Sequence, residues 1–286
     1  MSEELIKKIK DKSDAIDNYL QRYIERIKEQ SILYAAVSYS LFPGGKRLRP
    51  ILLLSIYESI TGKIDEKALF PACAIELIHT YSLIHDDLPI MDNSDTRRGK
   101  PTTHKIYGDN IALLAGDAIL TDAFYMLSSE DARNLLDSST IVLLINKLSK
   151  ASGITGLVEG QAFELIQEKN NLQEELISYI HEHKTATLFG ISFSMGAIAA
   201  NAPVDIQKKL EEAGKKFGLA FQLADDLKDM NNSESEVNYA RLFGREKSIE
   251  KINLNFNDCI KIIDSIEIDL SKFKETLFTV KEIYKI

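Results

Sequence analysis

Two short clusters of acidic residues are the most chemically informative feature of this 286-residue sequence. Each holds three carboxylates within a few positions: Asp86, Asp87 and Asp92 in the first, and Asp225, Asp226 and Asp229 in the second. Carboxylates this close repel one another unless a cation neutralises them. Hard oxygen ligands of this kind suit Mg²⁺, which usually bridges carboxylates to the phosphates of a substrate. The clusters therefore predict magnesium-dependent chemistry on a phosphorylated substrate.

Basic residues that suit phosphate oxygens flank the two clusters. They are Lys46 and Arg49 after the Gly44-Gly45 pair, Arg97 and Arg98 after the first cluster, and Lys184 beside Thr185. Adjacent glycines let a backbone approach a ligand closely, lysine supplies a point charge, and arginine supplies a bidentate fork. Lys184 taken alone is most simply interpreted as a surface residue. The chain thus combines carboxylates that can hold a metal with basic side chains that can hold phosphate. Together they indicate diphosphate chemistry.

The second cluster has the spacing of one face of a helix. Asp225 and Asp229 are four residues apart, and Gln222 lies one turn before Asp225. Residues 217–224 are mostly apolar, so this helix is expected to be buried rather than to present a solvated acidic face. We therefore predict that these side chains, with Asp226 beside them, belong to a buried site.

The first cluster does not fit a continuous helix. His79 and Asp86 are seven residues apart and share a helical face, but on the same helix Asp92 would point away from Asp86. Pro89 disfavours a continued helix and lets the chain turn Asp92 back. A histidine on an apolar helix is by itself usually a core residue. Its alignment with Asp86 predicts that His79 belongs to the site.

Long segments of the chain carry apolar residues at the spacing of an α-helix. They cover Leu5–Ser31, Ile51–Ile60, Ala72–Ile84, Ala112–Ser128, Ile141–Ser152, Leu172–His183 and Ile206–Asp229. The sequence has no clear strand-loop-strand pattern and no linker of distinctive composition. We predict an all-α fold in which residues 1–286 form a single domain, an orthogonal bundle of about ten or more helices.

Composition limits where the protein can be located in the cell and what it can bind. The net charge of −8 argues against a nucleic-acid partner. Thr185–Val204 is uncharged and long enough to cross a membrane, but its glycines, serines and Pro203 favour a buried core helix over a membrane span. Cys73 and Cys259 do not form a disulfide framework, and the N-terminus lacks the pattern of a signal peptide, so we expect a cytoplasmic protein.

Several motifs, in order along nearly the whole chain, resemble those of the trans-isoprenyl diphosphate synthases. They are Gly44–Pro50, Ile78–Arg98 with the following Gly99-Lys100-Pro101-Thr102, Ala115-Gly116-Asp117, Gly160-Gln161, His183-Lys184-Thr185, and Phe221-Gln222 with the second acid cluster. The resemblance is strongest to the bacterial farnesyl type. It implies an all-α barrel, usually a homodimer, in which the two acid clusters face each other across a deep apolar cavity.

The resemblance also implies roles for individual residues. Ligands of two to three Mg²⁺ ions would be Asp86, Asp92 and Asp225, supported by Asp87, Asp226 and Asp229. Contacts to the allylic diphosphate would come from Arg97, Lys184, Thr185 and Gln222. The site for isopentenyl diphosphate would be formed by Lys46, Arg49, His79 and Arg98. The implied reaction is the head-to-tail condensation of isopentenyl diphosphate with dimethylallyl or geranyl diphosphate.

Residues just before the first cluster bear on product length. Tyr81 and Ser82 lie five and four residues before Asp86. In the resembling enzymes an aromatic side chain here goes with products that stop at the C15 stage. The expected product is therefore farnesyl diphosphate, and geranylgeranyl diphosphate is the alternative because Ser82 is small.

One segment departs from the family pattern. The family commonly has a Gly-Lys pair after the second acid cluster, whereas Met230–Tyr239 contains Glu234 and Glu236 and no lysine. This loss is the only support for an alternative of a different class, a non-catalytic accessory subunit. Such subunits typically lose one acid cluster, whereas both are present here. A terpene cyclase or a squalene-synthase-like enzyme shares the barrel, but the usual cyclases lack the Gly-Gly-Lys-Arg segment present here.

Overall fold

Helices dominate the computed structural model, which describes residues 3–26, 31–42, 44–167, 172–231 and 237–286. Over these ranges the α-helices are α1 Glu3–Ile24, α2 Ile32–Leu41, α3 Leu48–Thr61, α4 Glu66–Asp86, α5 Thr103–Tyr107, α6 Asp109–Ser128, α7 Glu130–Leu135, α8 Ser138–Ser152, α9 Leu157–Leu165, α10 Glu174–His181, α11 Thr187–Ala199, α12 Val204–Lys228, α13 Tyr239–Phe243, α14 Arg245–Asp264 and α15 Ser271–Tyr284. A π-helical turn, Glu182–Ala186, joins α10 to α11. The strands β1 Thr96–Arg97 and β2 Lys100–Pro101 form a small hairpin. The prediction of an all-α fold with ten or more helices is confirmed.

The central helices are α4 and α11, and both are buried on nearly every side. A helix without a solvent-facing side needs no polar stripe, which is why the sequence is apolar all round in these segments. Thr185–Val204, predicted to be a core helix, contains α11, whose residues from Leu188 to Ala199 are all buried. That prediction is confirmed. The predicted helix over Leu5–Ser31 is shorter in the structure, since α1 ends at Ile24, and its residues 27–30 lie outside the described ranges.

The apolar core has two parts that meet at α3 and α11. One part gathers side chains of α1, α2, α4, α6 and α8, and the other gathers those of α10, α12, α14 and α15. Alternate faces of α3 and α11 belong to different parts: Ile191 and Met195 to the first, Phe189 and Phe193 to the second. The two acid clusters lie on α4 and α12, so each is carried by a different part of the core.

Two helical stretches meet the length and composition of a membrane span. Among the described residues these are Asp109–Leu135, which covers α6 and α7, and Ser138–Leu165, which covers α8 and α9. Both are only partly buried, and their outward faces carry exposed apolar side chains such as Leu114 and Val142.

Candidate active site

The first acid cluster lies where α4 ends in a tight turn. The backbone N–H of Asp92 donates to the carbonyl oxygen of Asp86, the last residue of α4, at 2.9 Å. Pro89 occupies this turn, and Asn93 has a left-handed backbone with a φ of 48°. Asp86 and Asp92 consequently line the same cavity, and the reversal predicted from Pro89 is observed. His79, two helical turns before Asp86, lines the cavity as well.

The second acid cluster lies at the end of α12 on another wall of this cavity. The helix is uninterrupted over Val204–Lys228, so the predicted spacing places Gln222, Asp225 and Asp229 on one side of it. The aromatic ring of Phe221 packs into the core behind them. The structure thus brings together four of the predicted metal ligands: Asp86, Asp92, Asp225 and Asp229.

Two predicted catalytic acids, Asp87 and Asp226, do not line the cavity that the described residues outline. Each is only 4% exposed. Asp87 accepts hydrogen bonds of 2.7 to 2.9 Å from the guanidinium of Arg97. Asp226 accepts from the backbone N–H of Tyr239 at 2.7 Å and from the amide of Gln222 at 2.9 Å. Their oxygens hold neighbouring groups, so the structure does not bring Asp87 and Asp226 into the cavity with the other predicted acids, and their metal and catalytic roles stay predictions.

Arg97 and Arg98 belong to a tight hairpin rather than to an irregular loop. Arg97 pairs with Lys100, and the chain reverses through Arg98 and Gly99 with φ values of 54° and 75°. Arg97 lines the cavity. Arg98 packs instead against Gly45, where an added Cβ would stand 2.7 Å from its guanidinium. The structure therefore separates two arginines that the sequence suggested as a pair of phosphate ligands.

The other residues predicted to bind isopentenyl diphosphate are also divided. Arg49 lines the cavity together with His79. The ammonium of Lys46 lies outside it, over the rings of Tyr284 and Phe221 at 4.5 and 5.5 Å from their centroids. Burial lowers the pKa of Arg49 to about 10, which leaves it a cation at neutral pH. Burial and the cations around His79 lower the pKa of its imidazole well below the usual value, so His79 is neutral.

Arg47 was given no role from the sequence, but it explains why position 44, the other member of the Gly44-Gly45 pair, is a glycine. Its buried guanidinium donates to Asp17, to Glu76 and to the carbonyl oxygen of Leu41. A Cβ on Gly44 would lie 2.1 Å from that guanidinium. The two adjacent glycines were predicted to let the backbone approach a ligand. In the structure they make room for arginine side chains.

Lys184 lies in the π-helical turn and lines the cavity, so the surface interpretation does not hold. Its ammonium donates to Glu164 on α9. Burial opposes the charged form, but Glu164 and Asp86 outweigh it and raise the pKa of Lys184. Gly160 lets α9 pack directly on the turn, since a Cβ there would lie 2.3 Å from the backbone nitrogen of Lys184.

Sequence reasoning missed two cavity residues on α9, Gln161 and Glu164. Each is 8% exposed, and neither amide atom of Gln161 has a hydrogen-bond partner within the described ranges. Gly160-Gln161 was noticed as a motif, but no residue in it was given a role. A glutamate one turn later in a mostly apolar helix was the signal that could have identified Glu164.

Tyr81 and Ser82, the residues tied to product length, have different surroundings. Ser82 lines the cavity. Tyr81 is buried on the neighbouring face of α4, edge-on to His85, with its hydroxyl 3.5 Å from the carbonyl oxygen of Ser152. Thr185 lines the cavity too, and its hydroxyl donates to the amide oxygen of Gln222 at 2.8 Å.

The segment that departs from the family pattern is described only in part. Glu234 and Glu236 lie outside the described residues. Val237, just after them, lines the cavity. Tyr239 follows, and its hydroxyl donates to Glu174 at 2.9 Å while its backbone N–H bonds to the carboxylate of Asp226. These two hydrogen bonds join Tyr239 to α10 and α12.

The donor set of the cavity fits Mg²⁺. No three His, Cys, Asp or Glu side chains in the described parts of the chain lie close enough to hold a metal by themselves. The carboxylates of the four cavity aspartates are, however, the hard ligands that bind Mg²⁺ together with phosphate oxygens. Burial raises the pKa of Asp86 to about 7, and Lys184 only partly offsets this. A buried carboxylate of this kind is stabilised by a bound cation.

Comparison with known proteins agrees with this geometry. The family model described as polyprenyl synthetase matches residues 30–241, well over half of the chain. The chain belongs to the polyprenyl synthetase family. The resemblance inferred from the motifs is thereby confirmed.

Individual relatives are similar over most of their length. The farnesyl diphosphate synthase of Geobacillus stearothermophilus is 44% identical over 229 residues, which are 80% of this chain and 76% of that protein. The farnesyl diphosphate synthase of Bacillus subtilis is 34% identical over 281 residues, 94% of each chain. The geranyltransferase of Helicobacter pylori, solved with magnesium and isoprenyl diphosphate, has a TM-score of 0.86 at 30% identity, covering 100% of this chain and 99% of that one.

Proposed function

We propose that this chain is a magnesium-dependent prenyltransferase that condenses isopentenyl diphosphate with dimethylallyl and geranyl diphosphate to make farnesyl diphosphate. One observation carries the proposal: four aspartates and three cations line a single cavity. They are Asp86, Asp92, Asp225 and Asp229, with Arg49, Arg97 and Lys184. Carboxylates that hold Mg²⁺ and fixed cations that hold phosphate are the two components that a diphosphate leaving group requires. The similarity to farnesyl diphosphate synthases supports the choice of product.

The allylic diphosphate belongs between the two acid clusters. The four cavity aspartates would hold two to three Mg²⁺ ions, which when bound would neutralise the charge that builds on the departing diphosphate. Lys184 and Arg97 bind the same group, and each is already held by a carboxylate, Glu164 for the first and Asp87 for the second. Cations fixed before the substrate arrives stabilise developing charge without reorganising during the reaction.

Isopentenyl diphosphate belongs beside Arg49 and His79. The Nε atom of Arg49 is buried and has no partner among the described residues, so a phosphate oxygen would satisfy it. Lys46 and Arg98 lie outside the cavity, but both are proposed for the same subsite: Arg98 packs on Gly45, the residue before Lys46, and its charge acts on His79. The double bond of isopentenyl diphosphate then attacks the allylic carbon.

The remaining cavity wall suits a reactive cation. Its apolar lining residues are Leu83, Leu157, Ile180, Leu188 and Val237. Such a wall keeps water away from an allylic cation, which water would quench. The proton lost after the carbon–carbon bond forms goes to the departing diphosphate, which is a sufficient base, so the reaction needs no dedicated catalytic base from the protein.

Analysis of products tests the proposal. The chain is incubated with Mg²⁺ and both C5 diphosphates, and dephosphorylated products are separated by chromatography. We expect mainly C15 product from the wild type, longer products from Tyr81→Ala, and C15 again from the matched control Tyr81→Phe. Mostly C20 product from the wild type would favour the geranylgeranyl alternative. No product at all would favour the accessory subunit, and an unchanged length in Tyr81→Ala would exclude a role of Tyr81 in setting product length.

We further propose that residues 1–286 act as one domain in a cytoplasmic homodimer. Support for the dimer comes from apolar side chains exposed on neighbouring helices: Leu113, Leu114 and Tyr125 on α6, Val142 on α8, and Val158 on α9. Exposed apolar side chains on helices that pack together are typical of an interface. Cys73 and Cys259, both free and buried, are compatible with a reducing compartment. Sedimentation at micromolar concentration should give twice the chain mass of 32.2 kDa, and Leu114→Asp should lower it.

A further inference from the structure

A buried ion network lies behind the subsite proposed for isopentenyl diphosphate. The guanidinium of Arg47 donates to Glu76 of α4 at 2.6 Å and to Asp17 of α1 at 2.8 Å. It also donates to the carbonyl oxygen of Leu41, the last residue of α2, at 2.6 Å. The side chains of Arg47 and Glu76 are 0% and 2% exposed, so this ion pair is shielded from water. One side chain therefore joins the start of α3 to three other helices.

This anchor determines how α3 begins. Arg47 is the residue that caps the start of α3, and its backbone is left-handed, with a φ of 48°. A residue with a Cβ adopts this conformation only at an energetic cost, which the three contacts of the guanidinium offset. Lys46 precedes Arg47, and Arg49 lies in the first turn of α3. The anchored arginine thus sets the direction in which both neighbouring cations leave the backbone.

The network also places negative charge behind the subsite. It contains two carboxylates and one cation, and Glu76 is the carboxylate that is fully buried, whereas the side chain of Asp17 is 38% exposed. Burial lowers the pKa of Arg49 and of Arg98, and in both cases the charge of Glu76 opposes this shift most strongly. A buried anion in this position stabilises the cations that must meet a diphosphate.

We propose that Glu76 is a positioning residue for isopentenyl diphosphate, although it touches no substrate atom. It acts through Arg47, which fixes the start of α3 and with it Lys46 and Arg49. Its negative charge balances the cations of the subsite before the diphosphate arrives, so that they need not rearrange when it binds. This assignment depends on the proposed function, which puts isopentenyl diphosphate beside Arg49.

The substitution Glu76→Gln tests the role of the charge. It keeps the shape of the side chain and an amide oxygen for Arg47. We expect the KM for isopentenyl diphosphate to rise about tenfold, the lower end of the cost of a lost charge-assisted contact. The KM for the allylic diphosphate should change less than twofold, because Lys184 and Arg97 are held by carboxylates of their own. Steady-state kinetics that give equal changes in both constants, or no change, would overturn the proposal.

Glu58→Gln is the matched control for a loss of stability. Glu58 accepts from the buried ammonium of Lys12 at 2.8 Å and, like the Arg47 network, joins α3 to α1. It lies nine residues after Arg49, about 13 Å farther along the helix. Both variants should lower the melting temperature, because each leaves a buried cation without its counter-charge. Only Glu76→Gln should raise the KM for isopentenyl diphosphate, and a similar rise in Glu58→Gln would show general loosening and overturn the proposal.

Asp17→Asn supplies a milder version of the test at the more exposed end of the network. The new amide oxygen can still accept from Arg47, so the substitution removes charge with little loss of structure. The KM for isopentenyl diphosphate should rise about two- to threefold, the range of a partly exposed ion pair, and the allylic KM should stay unchanged. If Glu76→Gln fails to fold, this variant decides: the same division between substrates supports the proposal, and its absence overturns the proposal.

Calorimetric titration of isopentenyl diphosphate into the full chain separates this assignment from the proposed function. A wild type that forms no product but binds isopentenyl diphosphate, with binding about tenfold weaker in Glu76→Gln, would reject the function and keep the assignment. An active wild type whose affinity is unchanged in Glu76→Gln would reject the assignment alone. A wild type that neither forms product nor binds isopentenyl diphosphate would reject both.

Discussion

The two acid clusters divide their carboxylates in the same way, although the local structures that carry them differ. In the first, α4 stops at Asp86 and a turn returns Asp92 to the cavity. In the second, α12 continues, and Asp225 and Asp229 share its face by helical spacing alone. In both, the first acid of the adjacent pair lines the cavity, and the second is buried.

The buried acids differ in what they hold. Asp87 holds the cation of Arg97, a side chain that enters the cavity from the hairpin. Asp226 holds the amide of Gln222, a neutral group on the cavity wall. In each dipeptide one carboxylate thus faces the cavity, and the other holds a side chain that lines the cavity. The first cluster holds a charged side chain in this way, and the second holds a neutral one.

The largest effect on turnover should separate the cavity-facing aspartates from an exposed aspartate. Asp86→Asn and Asp225→Asn should each reduce turnover by about two to three orders of magnitude or more, because developing charge on the diphosphate loses its counter-charge. Circular dichroism should show an intact helical fold. Asp95→Asn is the matched control, since Asp95 is exposed and paired with Lys105 away from the cavity. Near wild-type turnover in Asp225→Asn would exclude a site shared by both clusters.

The next largest effect, on KM, should show which basic residue binds which substrate. Lys184→Ala should chiefly raise the KM for the allylic diphosphate. Arg49→Ala should chiefly raise the KM for isopentenyl diphosphate, and Lys46→Ala should do so more weakly. Loss of a charge-assisted contact costs about 1.5–3 kcal/mol, roughly ten- to a hundredfold in affinity. Steady-state kinetics with each substrate varied in turn measures both constants. Equal changes for both substrates in every variant would refute the division.

A smaller effect, on stability, should have opposite signs within the first cluster. Asp86→Asn removes a carboxylate whose ionisation burial disfavours, so the metal-free protein should melt higher at pH 8. Asp87→Asn breaks the pairing with Arg97, which should lower the free energy of unfolding by about 1–3 kcal/mol. The melting temperature should fall by about 2–4 °C for each kcal/mol lost. Calorimetry in the presence of a chelator measures both. The same sign for the two variants would contradict the division of roles.

The pH dependence of the Asp86 effect follows from its pKa. The folded protein binds this proton more tightly than the unfolded chain does, with a pKa raised from 3.8 to about 7. Ionisation of Asp86 therefore destabilises the fold progressively as pH rises through this interval. The advantage of Asp86→Asn over the wild type should be full above pH 7 and should fade as pH falls toward 4.

The smallest effect concerns the acidic segment after the second cluster. A Gly-Lys pair grafted into residues 233–238 should lower the KM for the allylic diphosphate by about two- to fivefold, the range of an exposed ion pair. A Gly-Gln graft of the same length is the control for the change in backbone. An unchanged KM in the Gly-Lys graft would mean that Arg241, Arg245 or Lys247 already supplies this charge.

Local rules explain which parts of the site could be predicted from the sequence. The return of Asp92 followed from Pro89, and the alignment of Gln222, Asp225 and Asp229 followed from helical spacing. Apolar helices without a polar face indicated α4 and α11 as central. Each of these inferences uses residues within a few turns of one another.

Contacts between residues distant in sequence explain what could not be predicted. Which acid of a pair turns away from the cavity depends on the hairpin that carries Arg97 and on the backbone of Tyr239. Likewise, Gly45 makes room for Arg98, a residue far along the chain. Nothing near these positions in the sequence reveals such partners.

The π-helical turn at Glu182–Ala186 has a consequence for how this enzyme could change over evolutionary time. A π turn holds one residue more than an α-helix needs. Deleting one residue there would let α10 and α11 join as a regular helix while both keep their neighbours. Elsewhere in a helix, the same deletion would rotate all that follows by about 100°. A lineage could thus lose the lysine site in a single step and keep the scaffold, or gain it by one inserted codon.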